Sequence, residues 1–364
     1  MNQSLIIKCK RYMFLLVLAA IALVLVACPA EQDQEATPVA SSGGTATPAD
    51  QTATAEVPAD QPMTGGGTAP RYVASIAPLG MILSELCAGR AEVSVLLPPG
   101  ASPHTYEPLP SDLRAVEHAE AFFYVDDVLD GWAADLGGNN TFAVGRLVPA
   151  ELRLGLVAHD HHAHAQDGHG HEAPHKTGDE PGYADKHGEA DGTFDPHFWT
   201  SPRTVQAILP VLAAELARLD PAGQADYEAN AARFADELAK LDTELAALLE
   251  PVAGQHLLLF HPSLMYFMRD YKLELAAVIE PAPGKEPSAR MIADLMNLAR
   301  QLELTAVFSE PQLPRGPAET IADEAGLVLY ELDPLGGVAG RENYAALLRY
   351  NAGVLHDALA SSGE

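Results

Sequence analysis

The sequence predicts an α/β fold: two α/β lobes with parallel sheets, joined by one long rigid helix. Short apolar runs alternate with amphipathic segments on both sides of the middle of the chain, the pattern of parallel βα units. Between the two sets, residues 222–250 carry apolar side chains at three- and four-residue steps: Tyr227, Phe234, Leu238, Leu241, Leu245 and Leu248. A helix of that extent is roughly 43 Å long, more than one lobe needs.

The ends of the chain are read first, because they do not belong to the fold. The chain has 364 residues. Residues 1–27 read as a lipoprotein signal peptide: Lys8, Lys10 and Arg11 precede an apolar run from Tyr12 to Ala27. The run is shorter than the ~20 residues of a comfortable membrane span. It closes on Leu25-Val26-Ala27-Cys28, small residues before a cysteine, which resembles a bacterial lipobox. Cys28 is then the lipidated residue that holds the chain to the cell membrane. Residues 28–70 are rich in Ala, Thr, Pro, Gly and Gln and lack apolar periodicity, so a disordered tether is expected. Cys9 leaves with the signal, and Cys87 sits in an apolar helical pattern, so neither an internal disulfide nor a cysteine-type zinc site is available.

The folded part is predicted in order. An N-terminal lobe covers 71–220: a strand over 71–76, a helix over 79–87, a strand over 93–97, a short helix from Ser111 as N-cap, and strands over 121–125 and 141–144. A polar loop interrupts it over 158–193, and a helix over 201–219 closes it. Asp220-Pro221 breaks the chain, and the linking helix occupies 221–250. The C-terminal lobe, 251–364, has strands over 257–260, 275–279, 306–309 and 327–332, with helices over 262–271, 288–302 and from Pro317.

Composition excludes some partners. The formal charge of -28 argues against nucleic acid and against binding an anionic membrane surface through charge. An apolar fraction of 48% is enough for real cores, and the excess of acid suits an exported soluble protein. The chain is expected to act as a monomer.

In open parallel sheets, ligands sit beyond the carboxyl ends of the strands. His104 follows the second strand of the first lobe, and His197 lies in a loop entering a helix of that lobe. In the second lobe His261, Glu310 and Asp333 each follow a strand. Three imidazoles and a carboxylate converging between the lobes would make a metal site in the inter-lobe cleft, of a composition suited to tetrahedral zinc. Spacing alone leaves this open, since a strand-end histidine is more often a hydrogen-bonding residue of the framework.

Four motifs add to that reading: "PPGASPHTYEP", "DPHFWTSP", "LLLFHPSLMYF" and "FSEPQ". Over roughly residues 71–360 the chain resembles the metal-receptor (cluster A-I) solute-binding proteins of bacterial zinc ABC importers, in lipoprotein form. The resemblance implies Zn²⁺ as ligand, held by His104, His197 and His261. The fourth family position, a carboxylate or water, is matched by Asp333. Manganese members carry Glu where His261 stands. Pro103 replaces the acidic residue that precedes the first histidine in some zinc receptors, and Glu310 is expected beside the ligands rather than among them. The implied partner is an ABC permease, and the implied location is extracytoplasmic, lipid-anchored to the cell membrane.

The polar loop carries eight histidines: His159, His161, His162, His164, His169, His171, His175 and His187. Set among Gly, Pro and acid, they read as weak accessory metal sites, because ligands without a scaffold lose conformational entropy on each binding event. His118, His256 and His356 read as ordinary surface or helix-end residues. Three alternatives share these residues: a manganese or iron receptor of the same family, an exported zinc hydrolase with an activated water, and a surface adhesin or metal buffer.

Overall fold

The computed structural model describes residues 69–138, 140–156, 194–281 and 284–360. The signal segment, Cys28, nearly all of the tether and the eight tract histidines lie outside the described residues. Everything described belongs to one unit, Gly65–Glu364.

The first sheet is built from β1 (Arg71–Ala74), β2 (Glu92–Val95), β3 (Ala121–Tyr124) and β4 (Thr141–Ala143). Its order is β2-β1-β3-β4 and every pairing is parallel. Helices α1 (Ala77–Cys87), α2 (Pro110–Glu117) and α3 (Gly131–Leu136) connect these strands, and α4 (Pro202–Leu219) packs against the same lobe. The second sheet repeats the plan: β5 (His256–Leu259), β6 (Glu274–Val278), β7 (Ala306–Ser309) and β8 (Val328–Glu331), in the order β6-β5-β7-β8, again all parallel. Its helices are α6 (Met265–Tyr271), α7 (Ala289–Gln301), α8 (Gly316–Ala325) and α9 (Tyr344–Ala360). In each sheet the strand order reverses beside the first strand of the lobe. That topological switch is where open parallel sheets form crevices at their carboxyl ends.

The two lobes share α5 (Gln224–Leu249), which at 1.5 Å per residue is roughly 39 Å long. One face is buried: Tyr227, Ala231, Phe234, Leu238, Leu241, Leu245 and Leu249. It packs on α4 and α1 of the first lobe and on α9 of the second, so one rigid element braces both. The predicted stripe is therefore right in phase, with Leu249 rather than Leu248 completing it. At its start, a Cβ on Gly223 would lie 2.1 Å from Nε of Arg90, so only glycine lets Arg90 reach Asp220 at 2.6 Å.

Most strands and helices fall within two or three residues of their predicted bounds, with informative departures. Ser111 is not the N-cap of α2. Leu109 takes that position with Pro110 as the first helical residue, and Asp112 reaches back to accept the Leu109 N–H at 2.7 Å. Proline is favoured there because its missing N–H is one the first turn cannot use. Helix α9 was not predicted. Its apolar positions do repeat at helical steps, but the buried polar Asn351 interrupts the stripe. Cys87 is a buried core residue, and burial pushes its thiol up to about 12, which keeps it protonated.

The lobes are also joined directly. Trp199 Nε1 donates to the carbonyl of Pro334 at 2.8 Å, and the Tyr344 hydroxyl donates to the carbonyl of Trp199 at 2.6 Å. Tyr266 donates to Asp195 O and accepts from Leu154 N. Ser201 Oγ bonds to Asp270 Oδ2, and Arg269 reaches the carbonyl of Leu152 at 2.8 Å. The stretch 195–204 is thus held by both lobes.

Candidate metal centre

Each of the three imidazoles is fixed by its own local structure. His104 lies in the loop after β2. That loop begins with a turn closed by Ala101 N donating to Pro98 O, and Gly100 takes the left-handed φ of 81° that the turn requires. Trp132 Nε1 donates to the carbonyl of Pro103 at 2.8 Å and holds the loop beside His104. His197 precedes a short 3-10 turn, Phe198–Thr200, in the clamped stretch. His261 follows β5, at the switch point of the second sheet.

These elements bring His104, His197 and His261 together, with ligand atoms all within 4.8 Å of one another. Their ring centroids are 5.0 to 5.6 Å apart. A tetrahedral zinc with bonds of 2.0–2.1 Å needs nitrogens roughly 3.4 Å apart, so small side-chain shifts close the set around one ion.

Hydrogen bonding fixes the tautomers. His197 Nδ1 lies 2.7 Å from Oδ1 of Asp195, which also accepts the His197 backbone N–H, so Nδ1 carries the proton and Nε2 keeps its lone pair. His261 Nδ1 lies 3.3 Å from the carbonyl of Glu280, which can only accept, so the same holds there. His261 Nε2 is buried and has no hydrogen-bond partner among the described residues. Burial, followed by the neighbouring charge of His197, pushes His104 down to about 3. Burial, followed by His197 and His104, also holds His261 well below the usual imidazole range. Both rings are therefore neutral at physiological pH, the form that binds metal.

The cavity these rings share has a volume of about 20 Å³, enough for one water-sized guest, and Glu310 and Gln312 also line it. Glu310, directly after β7, accepts from Ser263 Oγ at 2.6 Å. Burial, with a smaller contribution from the charge of Asp333, raises its carboxyl to about 8, so it is protonated at neutral pH.

Asp333, expected as the fourth ligand, is not in the three-histidine group. Its Oδ1 accepts from Gln312 Nε2 at 2.8 Å and from the backbone N–H of Leu335 and Gly336 at 3.0 Å each. Its Oδ2 lies 3.1 Å from Nη1 of Arg341, a contact of charge rather than an aligned hydrogen bond. Asn351 fixes its backbone from α9 by accepting from Asp333 N and donating to Asp333 O. Gly336, at a φ of 64°, lets the loop fold back on the carboxylate. His118, His256 and His356 lie away from the cavity, against Arg114 O, Glu274 and Asp357 respectively. Sequence reasoning missed Asp195, Gln312, Arg341 and Asn351. Two of these had a signal: Asp195 is the acid two residues before a candidate ligand, and Gln312 closes the "FSEPQ" motif.

The family model for the zinc-uptake complex component A, periplasmic, matches residues 73–358. The chain belongs to this family. The high-affinity zinc uptake system protein ZnuA of Brucella suis biovar 1 is 32% identical over 310 residues, covering 81% of this chain and 93% of that protein. The zinc-binding protein AdcA of Streptococcus pyogenes serotype M3 is 27% identical over 291 residues, covering 77% of this chain and 54% of its own length. The chain thus spans about half the length of the AdcA relatives it matches. A crystal structure of ZnuA matches with a TM-score of 0.64 and 30% identity, over 80% of this chain and 99% of that one. The periplasmic zinc-binding protein TroA of Treponema pallidum, at 20% identity and a TM-score of 0.65, has the same fold. The expected pair of parallel-sheet lobes and the expected family are both borne out. No helix among the described residues is long and apolar enough to cross a membrane.

Proposed function

We propose that this chain is an extracytoplasmic receptor that captures Zn²⁺ with His104, His197 and His261 and delivers it to the permease of an ABC importer. The observation that carries this reading is the group of three imidazoles around one small cavity, with the buried Nε2 of His261 unpartnered. A buried nitrogen lone pair without a hydrogen-bond partner costs roughly 1–3 kcal/mol, which an electrophile offsets on binding. Three nitrogen donors suit zinc better than manganese, which prefers an oxygen-rich shell. The names of the ZnuA and AdcA relatives support the same ion.

The hydrolase alternative is the weaker reading. Sites for organic substrates occupy some 300–1,000 Å³, far beyond the space beside these rings. A binding protein without turnover needs room for the ion alone. We assign no enzymatic role to the chain. In this reading Cys28 carries the lipid anchor after removal of 1–27, residues 28–70 are the tether, and the receptor acts as a monomer. The tract histidines are weak accessory zinc sites.

Uptake of radioactive zinc tests the function. Cells lacking the chain should lose high-affinity uptake, wild type should restore it, and His261→Ala should not. Restoration by His261→Ala would refute the assignment.

A further inference from the structure

Gln312 is held by one end and left unbonded at the other. Its Nε2 donates to Asp333 Oδ1 at 2.8 Å. A carboxylate can only accept, so this bond fixes which way round the amide lies. Its Oε1 is then buried without a hydrogen-bond partner among the described residues, and the residue lines the cavity of the three histidines. His261 Nε2, at the same cavity, is in the same condition. Two buried acceptors without donors, on residues that line one small space, call for a guest that is positive or donates protons. A metal ion carrying a water molecule is both.

Resting on the zinc reading above, we propose that Gln312 is a positioning residue of the metal site, whose side-chain oxygen accepts a hydrogen bond from a water on the ion. Two features favour water over a direct bond. Zinc draws its protein ligands from thiolate, imidazole and carboxylate, while a neutral amide oxygen suits harder cations. The carboxylate that could replace the water is already engaged, since Asp333 Oδ1 accepts three hydrogen bonds and Oδ2 faces Arg341. The amide thus links Asp333 to the fourth position: donating to the carboxylate polarises its oxygen toward the water.

Two variants separate the ends of the amide. Gln312→Met keeps the length and removes both donor and oxygen. Gln312→Glu keeps an oxygen in place and loses the donor to Asp333. Zinc affinity of the metal-stripped full chain is measured by chelator competition, together with the visible spectrum of the Co²⁺-loaded protein. Gln312→Met should bind zinc about 10- to 100-fold more weakly, the usual effect of removing a residue that supports a metal ligand, and should shift the Co²⁺ bands. Gln312→Glu should hold zinc at least as well as wild type. Equal losses in both variants would overturn the proposal, because the amide would then act only by holding Asp333. Unchanged affinity and spectrum in Gln312→Met would overturn it as well. Absence of tight zinc in the wild type would instead strike the receptor reading itself.

Discussion

Asp195 Oδ1 accepts from His197 twice, from the backbone N–H at 2.9 Å and from the ring Nδ1 at 2.7 Å. One oxygen therefore sets both the loop and the imidazole. The bond makes Nε2 the free nitrogen and fixes the ring orientation, the usual role of a carboxylate behind a metal-binding histidine. The backbone of Asp195 is itself tied, its N–H to Leu154 O at 2.8 Å and its carbonyl to Tyr266.

Asp195→Ala is expected to lower zinc affinity by about 10- to 100-fold. Competition against a chelator of known affinity reads this directly. Wild-type affinity in the variant would mean that His197 is oriented by packing against Trp199 alone.

Glu310 gives a pH prediction. Its carboxyl is raised from 4.5 to about 8, so between these values the folded chain keeps a proton that the unfolded chain releases. Stability therefore falls as pH rises through that window. The lowered imidazoles of His104 and His261 act in the opposite sense below their ordinary value of 6.5, but they are common to wild type and variant. Glu310→Gln has no proton to lose. In urea unfolding of the metal-free protein, its advantage over wild type should grow from pH 5 to pH 8.5. Parallel stability profiles would show that Glu310 does not titrate in this range.

The fold was legible because its signals are local. Strands such as Ala121–Tyr124 are continuous apolar runs, and α5 keeps one stripe over seven turns. The three histidines were legible as strand-end or loop residues, and the motifs around them supplied the grouping that spacing could not. What stayed hidden depends on pairs distant in sequence. Nothing local marks Asn351 as the clamp on Asp333, 18 residues away, or Arg341 as its charge partner. The engagement of Asp333 by Gln312 and two backbone amides is a matter of loop geometry, which residue type does not encode.

His261→Glu tests selectivity. It would leave two imidazoles and a carboxylate from the original three nitrogens, moving the donor set toward the oxygen-rich shell that suits manganese. Zinc affinity should fall and the zinc-to-manganese ratio should narrow, with zinc still the tighter ion by the general affinity order. Both affinities are measured on both proteins in one buffer. An unchanged ratio would mean that His261 does not touch the ion.

The most direct measurement is a zinc titration of protein lacking residues 159–189. Leu154 and Asp195, on either side of the excised segment, are hydrogen-bonded to each other, so the excision removes chain between two points already in contact. Calorimetry on the metal-stripped deletion protein should find one tight zinc per chain. Adding His104→Ala, His197→Ala or His261→Ala should each weaken that site by several kcal/mol, as expected for loss of one inner ligand of four. Loss of the tight site on deletion alone, or its persistence at wild-type affinity in any of the three alanine variants, would contradict the three-imidazole centre.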